Sequence, residues 1–186
     1  MILGNPIKFA ILLDEASMWT SEGDTWRNGL LFLCVDGEIF PKKIYVATIN
    51  TDGDFLIDML KDIPVDMRIF NAEKERAFTE MYNLTFANGY DYTYKYFIAP
   101  PVLSDYHYYV FAVSNGSEIR IMATCKKCTN DDIILVREDN ITSLEEEEIN
   151  PFYMDNFSDV EISETFITVD ELNKIILELK LVLDKK

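Results

Sequence analysis

The sequence predicts an α+β fold, a mainly antiparallel twisted sheet of hairpins packed by two to three helices, the last of them amphipathic. Three observations carry this reading. Asp36-Gly37 and Asn115-Gly116 each separate two runs of apolar or alternating residues, and such dipeptides reach the positive φ angles that a two-residue primed turn requires. Leu172, Ile175, Ile176, Leu179, Val182 and Leu183 follow the i, i+3, i+4, i+7 spacing of one helix face. Helical and extended segments do not alternate regularly, which argues against a doubly wound parallel sheet.

In chain order, the apolar start at residues 2–13 is too short to span a membrane, is interrupted by Lys8, and runs into Asp14-Glu15 without a small-residue cleavage site. It reads as a strand at 7–13 and not as a signal. Further strands are expected at 30–35, 39–48, 94–98, 108–114, 118–124 and 133–137. Leu56, Met59, Leu60 and Ile63 predict one helix, with Asp52-Gly53-Asp54 as a turn before it. Phe78, Met81 and Tyr82 predict a second behind an Asn71 cap. Thr168 and Glu171 form an S/T-x-x-E capping box that opens the last helix.

With 186 residues, 48% hydrophobic and 13% aromatic, the chain can bury a substantial core and reads as one domain over 1–186, looser in the acidic segment 129–168. Three cysteines cannot all pair within the chain. The sequons at Asn83, Asn115, Asn140 and Asn156 carry little weight without a secretory signal, so a reducing cytoplasm is the expected compartment.

Charge is regional. Residues 129–168 hold twelve acids and only Arg137 as a base, whereas 1–128 hold seventeen acids against twelve bases and 169–186 balance four against four. Such a concentrated field attracts basic protein surfaces, repels nucleic acid and anionic membrane, and raises encounter rates with a complementary partner by roughly ten- to a thousandfold. Within it, Phe152, Tyr153 and Phe157 supply aromatic anchors ringed by carboxylates, the composition of a binding hot spot. The period-two series Tyr90, Tyr92, Tyr94 and Tyr96 reads instead as sheet face and core packing.

Little in the sequence supports catalysis. His107 is the sole histidine, and no G-x-S-x-G elbow accompanies it. Cys125-Lys126-Lys127-Cys128 would need Cys34 and His107 to complete a zinc site, yet Cys34 lies in an unbroken apolar run where a thiol packs as a small hydrophobe. Neither G-x-x-x-x-G-K-[ST] nor G-x-G-x-x-G occurs, and Lys42-Lys43 and Lys126-Lys127 are isolated basic pairs. No catalytic residue, metal ligand or cofactor is assigned.

Met1-Ile2-Leu3-Gly4-Asn5-Pro6 with Phe9, then Trp26, Asn28-Gly29 and Cys34-Val35-Asp36-Gly37-Glu38-Ile39-Phe40-Pro41, resemble blocks of the bacterial immunity 42 family. Met81-Tyr82-Asn83, the run from Tyr109 to Gly116, and Ile162-Ser163-Glu164-Thr165-Phe166 leading into Asp170-Glu171-Leu172 are similar to its later blocks. The resemblance implies a cytoplasmic antitoxin of a polymorphic or contact-dependent growth inhibition system, one that binds a cognate toxin domain and blocks it. It carries over no active site. Residues 126–160 match least well, and they coincide with the concentrated charge.

The expected function is therefore a stoichiometric inhibitor of a basic toxin domain, with a nuclease as the expected target, because enzymes acting on nucleic acid need a cationic cleft. The expected toxin-binding residues are Asp131, Asp132, Asp139, Glu145, Glu146, Glu147, Glu148, Phe152, Tyr153, Asp155, Phe157 and Asp159. Nucleic acid and membrane are not expected partners, and oligomeric state is not legible. The alternative is an anti-restriction or DNA-mimic protein whose carboxylates are spaced like phosphates.

Overall fold

The computed structural model describes residues 1–21, 23–86, 94–125, 157 and 160–184. Among the described residues, eight strands and five α-helices are arranged as an antiparallel five-stranded sheet, an antiparallel three-stranded sheet, and helices packed against them, which is the α+β class.

The apolar start forms a hairpin of two strands where one was expected. β1 (Ile2–Gly4) pairs with β2 (Phe9–Glu15) in the register Ile2↔Leu12 to Gly4↔Ala10. Asn5-Pro6 and Lys8 make the turn, with Lys8 N–H donating to the Asn5 carbonyl at 2.9 Å. β3 (Asn28–Val35) pairs with β2 along its length. It joins β4 (Glu38–Phe40) through Asp36 (φ 53°) and Gly37 (φ 78°), the two positive φ angles of the predicted turn.

The strand expected at 39–48 is two strands. Pro41 offers no N–H to a ladder, so the chain leaves β3 after Phe40 and rejoins its other half as β5 (Val46–Thr48).

The second sheet is β6 (Tyr108–Ser114), β7 (Glu118–Cys125) and β8 (Ser163–Thr168), in that order. Its first hairpin forms as expected, but the register Ser114↔Ile119 and the Asn115 N–H to Glu118 carbonyl bond make Gly116-Ser117 the central pair. Asn115 instead uses its side-chain oxygen to accept from the N–H groups of Ser117 and Glu118.

β6 is buried at every position although it lies at a sheet edge. Two segments cover that edge: Ala112 N–H donates to Tyr96 O and Ile98 N–H to Val110 O, while Ser114 N–H donates to Pro64 O. The strand expected at 94–98 is therefore an edge cover with a single bridge, Phe97↔Phe111. Tyr94 has φ 46° and Pro100-Pro101 follow, which prevents a longer ladder. β8 was not expected. Its alternation, with Thr165 and Ile167 buried, lies at the end of the acidic stretch, where charge dominated the reading. The strand expected at 133–137 lies outside the described residues, as do Tyr90 and Tyr92.

α1 (Ile49–Lys61) buries Ile49, Leu56, Ile57 and Leu60. It begins earlier than expected, so Asp52-Gly53-Asp54 lies within it and is not a preceding turn. The Asp52 carboxylate accepts from Thr48 N–H and Tyr45 Oη, both at 2.9 Å. α2 (Met67–Phe70) starts at Asp66, whose carboxylate accepts from the N–H groups of Arg68 and Ile69. Asn71 terminates α2, where an N-cap for the next helix, α3 (Lys74–Phe86), was expected. After α4 (Val102–Asp105), α5 (Val169–Leu183) forms with its predicted stripe and both bonds of its capping box. One hydrophobic cluster includes residues of both sheets and of α1, α3 and α5.

Candidate functional site

The acidic segment is an excursion between two neighbouring strands. β7 and β8 are antiparallel partners with Ala123 opposite Ser163, so whatever leaves after Cys125 must return beside its point of departure. Residues 126–162 contain eleven acids against Lys126, Lys127 and Arg137. The twelfth acid of the sequence cluster, Glu164, lies on β8 and forms an ion pair with Arg120, so its charge is compensated inside the fold.

Three bonds and one buried ring secure the returning end. Thr124 Oγ1 donates to the Glu161 carbonyl at 2.6 Å, Lys74 Nζ donates to the Ile162 carbonyl at 3.2 Å, and Val160 N–H donates to the Phe157 carbonyl at 3.2 Å. Phe157 is fully buried, with ring centroids 4.8 Å from Phe78 and 5.1 Å from Tyr82. Those rings belong to an aromatic core that includes Phe111, 5.0 Å from Phe78, and Tyr109, 5.1 Å from Tyr82. Edge-to-face pairs of this kind add about 0.5–1.5 kcal/mol each beyond their burial.

Phe157, expected as an anchor for a partner, is packed into the aromatic core of this chain. The other expected contact residues, Asp131, Asp132, Asp139, Glu145, Glu146, Glu147, Glu148, Phe152, Tyr153, Asp155 and Asp159, lie outside the described residues.

Among the described residues, Lys8, Arg27, Lys42, Arg68 and Arg120 each form an ion pair with an acid of the scaffold: Glu171, Glu15, Glu38, Glu80 and Glu164 respectively. Short-range pairing therefore engages these five cations within the scaffold.

Among the described residues, those weighed for chemistry do not assemble into a metal site. Cys34 is buried on β3 opposite Ala10 and Ile39, and desolvation pushes its thiol up, away from thiolate reactivity. Cys125 ends β7 opposite Tyr108, whose phenol is pushed up by burial and by the neighbouring thiol. His107 precedes β6 in a left-handed conformation, φ 61°. Among the described residues no group of three histidine, cysteine or acidic side chains is placed to hold a metal ion, and Cys128 lies outside them. No described helix is long and apolar enough to cross a membrane.

Sequence reasoning missed Arg120, the buried organiser of the second sheet, and the exposed pair Trp19 and Trp26. The second had a legible signal, since two tryptophans within eight residues of a polar connection are seldom both core.

Residues 1–181 match the family described as immunity protein 42. A crystal structure of CdiI from Burkholderia dolosa AUO158 is similar in fold, with a TM-score of 0.66 at 18% sequence identity, covering 98% of this chain and 99% of that one. No curated protein matches the chain.

Proposed function

The chain belongs to the immunity protein 42 family, and from that premise we propose that it binds a cognate toxin domain stoichiometrically, through the acidic region 129–168, and that the toxin is a basic nuclease. The observation that carries the reading is the family match over nearly the whole chain. An immunity protein acts as an inhibitor and not as an enzyme. The fold likeness to CdiI makes contact-dependent growth inhibition the proposed setting, with the bacterial cytoplasm as the place where an incoming toxin is met.

The acidic interface draws its support from charge and connectivity. Eleven acids are gathered in one excursion whose ends are fixed by β7, β8 and Phe157. A field of that sign steers onto a cationic surface and disfavours nucleic acid itself. A nuclease cleft is such a surface, and an acidic protein can occupy it or cover it from one side.

The test is growth. Cells expressing the C-terminal domain encoded immediately upstream of this chain should arrest, with loss of nucleic acid integrity, and co-expression of this chain should restore both. Arrest that this chain does not relieve would refute the reading. Relief without any effect on nucleic acid would refute the nuclease assignment alone.

A further inference from the structure

Both tryptophans of the chain stand in the connection between β2 and β3. Trp19 is 46% exposed and Trp26 54%, and Met18 beside them is 88% exposed. The core contains neither indole. Tryptophan is the residue most enriched at the energetic centres of protein interfaces, and methionine is enriched there too.

The two ends of the connection are held by hydrogen bonds through the side chains of Thr20, Asn28 and Asn50. Asn28 Nδ2 donates to the Trp19 carbonyl at 2.9 Å, and Asn28 N–H donates to Thr20 Oγ1 at 3.2 Å. On the other side Arg27 N–H donates to Asn50 Oδ1, whose Nδ2 in turn donates to the Thr25 carbonyl. Arg27 Nη1 caps the end of α5 at the carbonyls of Val182 and Leu183, and Nη2 bonds Glu15 at 2.5 Å. The two indoles are thus presented from a preorganised frame, which lowers the ordering cost of binding.

Charge selects the occupant. Residues 14–27 contain Asp14, Glu15, Glu22 and Asp24 against Arg27 alone, and the Arg27 guanidinium is engaged within the fold. A groove of about 490 Å³ is lined by Asp14, Glu15 and Arg27 together with apolar Met1, Leu13, Ile49 and Val182. A second copy docking across a two-fold axis would set these acids against themselves. A cationic protein would not, and exposed indoles in an acidic stretch of chain suit lysine and arginine side chains.

We propose that the β2–β3 connection is a contact surface for the cognate toxin domain, with Trp19 and Trp26 receiving its basic side chains and Asp14 and Asp24 acting as counter-charges. The inference rests on the immunity reading, and it assigns binding to a part of the chain outside the acidic excursion.

Because the chain has no other tryptophan, incorporation of 5-fluorotryptophan gives two fluorine resonances that report on this surface alone. On titration with the unlabelled C-terminal domain encoded immediately upstream, both should shift or broaden until one equivalent is reached. Trp19→Ala and Trp26→Ala should each weaken the complex more than about tenfold while leaving thermal unfolding near that of the parent. A complex of undiminished affinity in both variants, with unmoved resonances, would overturn the surface and leave the immunity reading standing. Absence of any complex in the same titration would overturn both. Resonances that move with the chain's own concentration before toxin is added would assign the connection to a second copy, and that too would overturn the proposal.

Discussion

Arg120 and Glu164 meet across the β7–β8 pair, with Nε 2.7 Å and Nη2 2.6 Å from one carboxylate oxygen. The remaining nitrogen, Nη1, donates to the carbonyls of Ile69, Phe70 and Ala72, so one buried guanidinium ties the end of α2 to the second sheet. It also lies over the ring of Phe166, 5.8 Å from its centroid.

Removing this group leaves the Glu164 carboxylate and the Phe70 and Ala72 carbonyls without their arginine donor, while the Ile69 carbonyl keeps the Ala72 N–H; breaking a buried pair from one side costs about 3–5 kcal/mol. Arg120→Ala should lower stability by that order in urea unfolding. Arg120→Lys should recover little of it, since an ammonium cannot reach both the carboxylate and three carbonyls in the same planar fork. A variant as stable as the parent would show that the corner is held by packing alone.

Acid should destabilise the scaffold through three identifiable carboxylates. Glu15 is held below its ordinary range by Arg27, Asp66 chiefly by the N–H of Ile69, and Glu171 chiefly by the N–H of Thr168 with help from Lys8. A folded-state pKa below the unfolded one means stability that is complete above the unfolded value and lost as pH falls through the folded value. Urea midpoints should therefore be flat in this contribution above about pH 5 and fall below about pH 4.5. Glu171→Gln should flatten part of that slope. Thr168→Ala, which removes the other half of the capping box, should cost about 1 kcal/mol near neutral pH.

Phe157→Ala should destabilise the chain by about 3–5 kcal/mol, the range for emptying a buried phenylalanine site. Phe157→Leu should restore much of this, and its complex with toxin should have parent-like affinity once the chain is folded. A large loss of affinity in Phe157→Leu at unchanged stability would return this ring to the interface.

Replacing Glu145, Glu146, Glu147 and Glu148 together with glutamine should slow toxin association several-fold at low salt and flatten its dependence on ionic strength, with dissociation changed far less. Stopped-flow association over a salt series reads this out. Association kinetics identical to the parent would remove the steering role.

How much was legible depended on whether the signal was local. The Asp36-Gly37 turn and the Thr168/Glu171 cap are fixed by residues within four positions of each other, and both formed as expected. β8 and the split of 39–48 into β4 and β5 depend on partners far along the chain, so alternation and apolar runs missed the first and merged the second. Asn71 illustrates the same limit on a smaller scale, since its residue type suits either end of a helix and only the brief α2 decides which. The aromatic anchors show how composition misleads: Phe157 sits among acids in sequence but among Phe78 and Tyr82 in space. Arg120 gave no sequence signal at all, because a lone arginine in a strand is ordinarily exposed.

The immunity reading rests on recognition of one partner. Purified chain mixed with the C-terminal domain encoded immediately upstream, then sized by light scattering and assayed for residual toxin activity, should give a one-to-one complex and activity that falls linearly to zero at one equivalent. Two separate species with toxin activity intact, or equal binding to unrelated DNA-binding proteins, would contradict it.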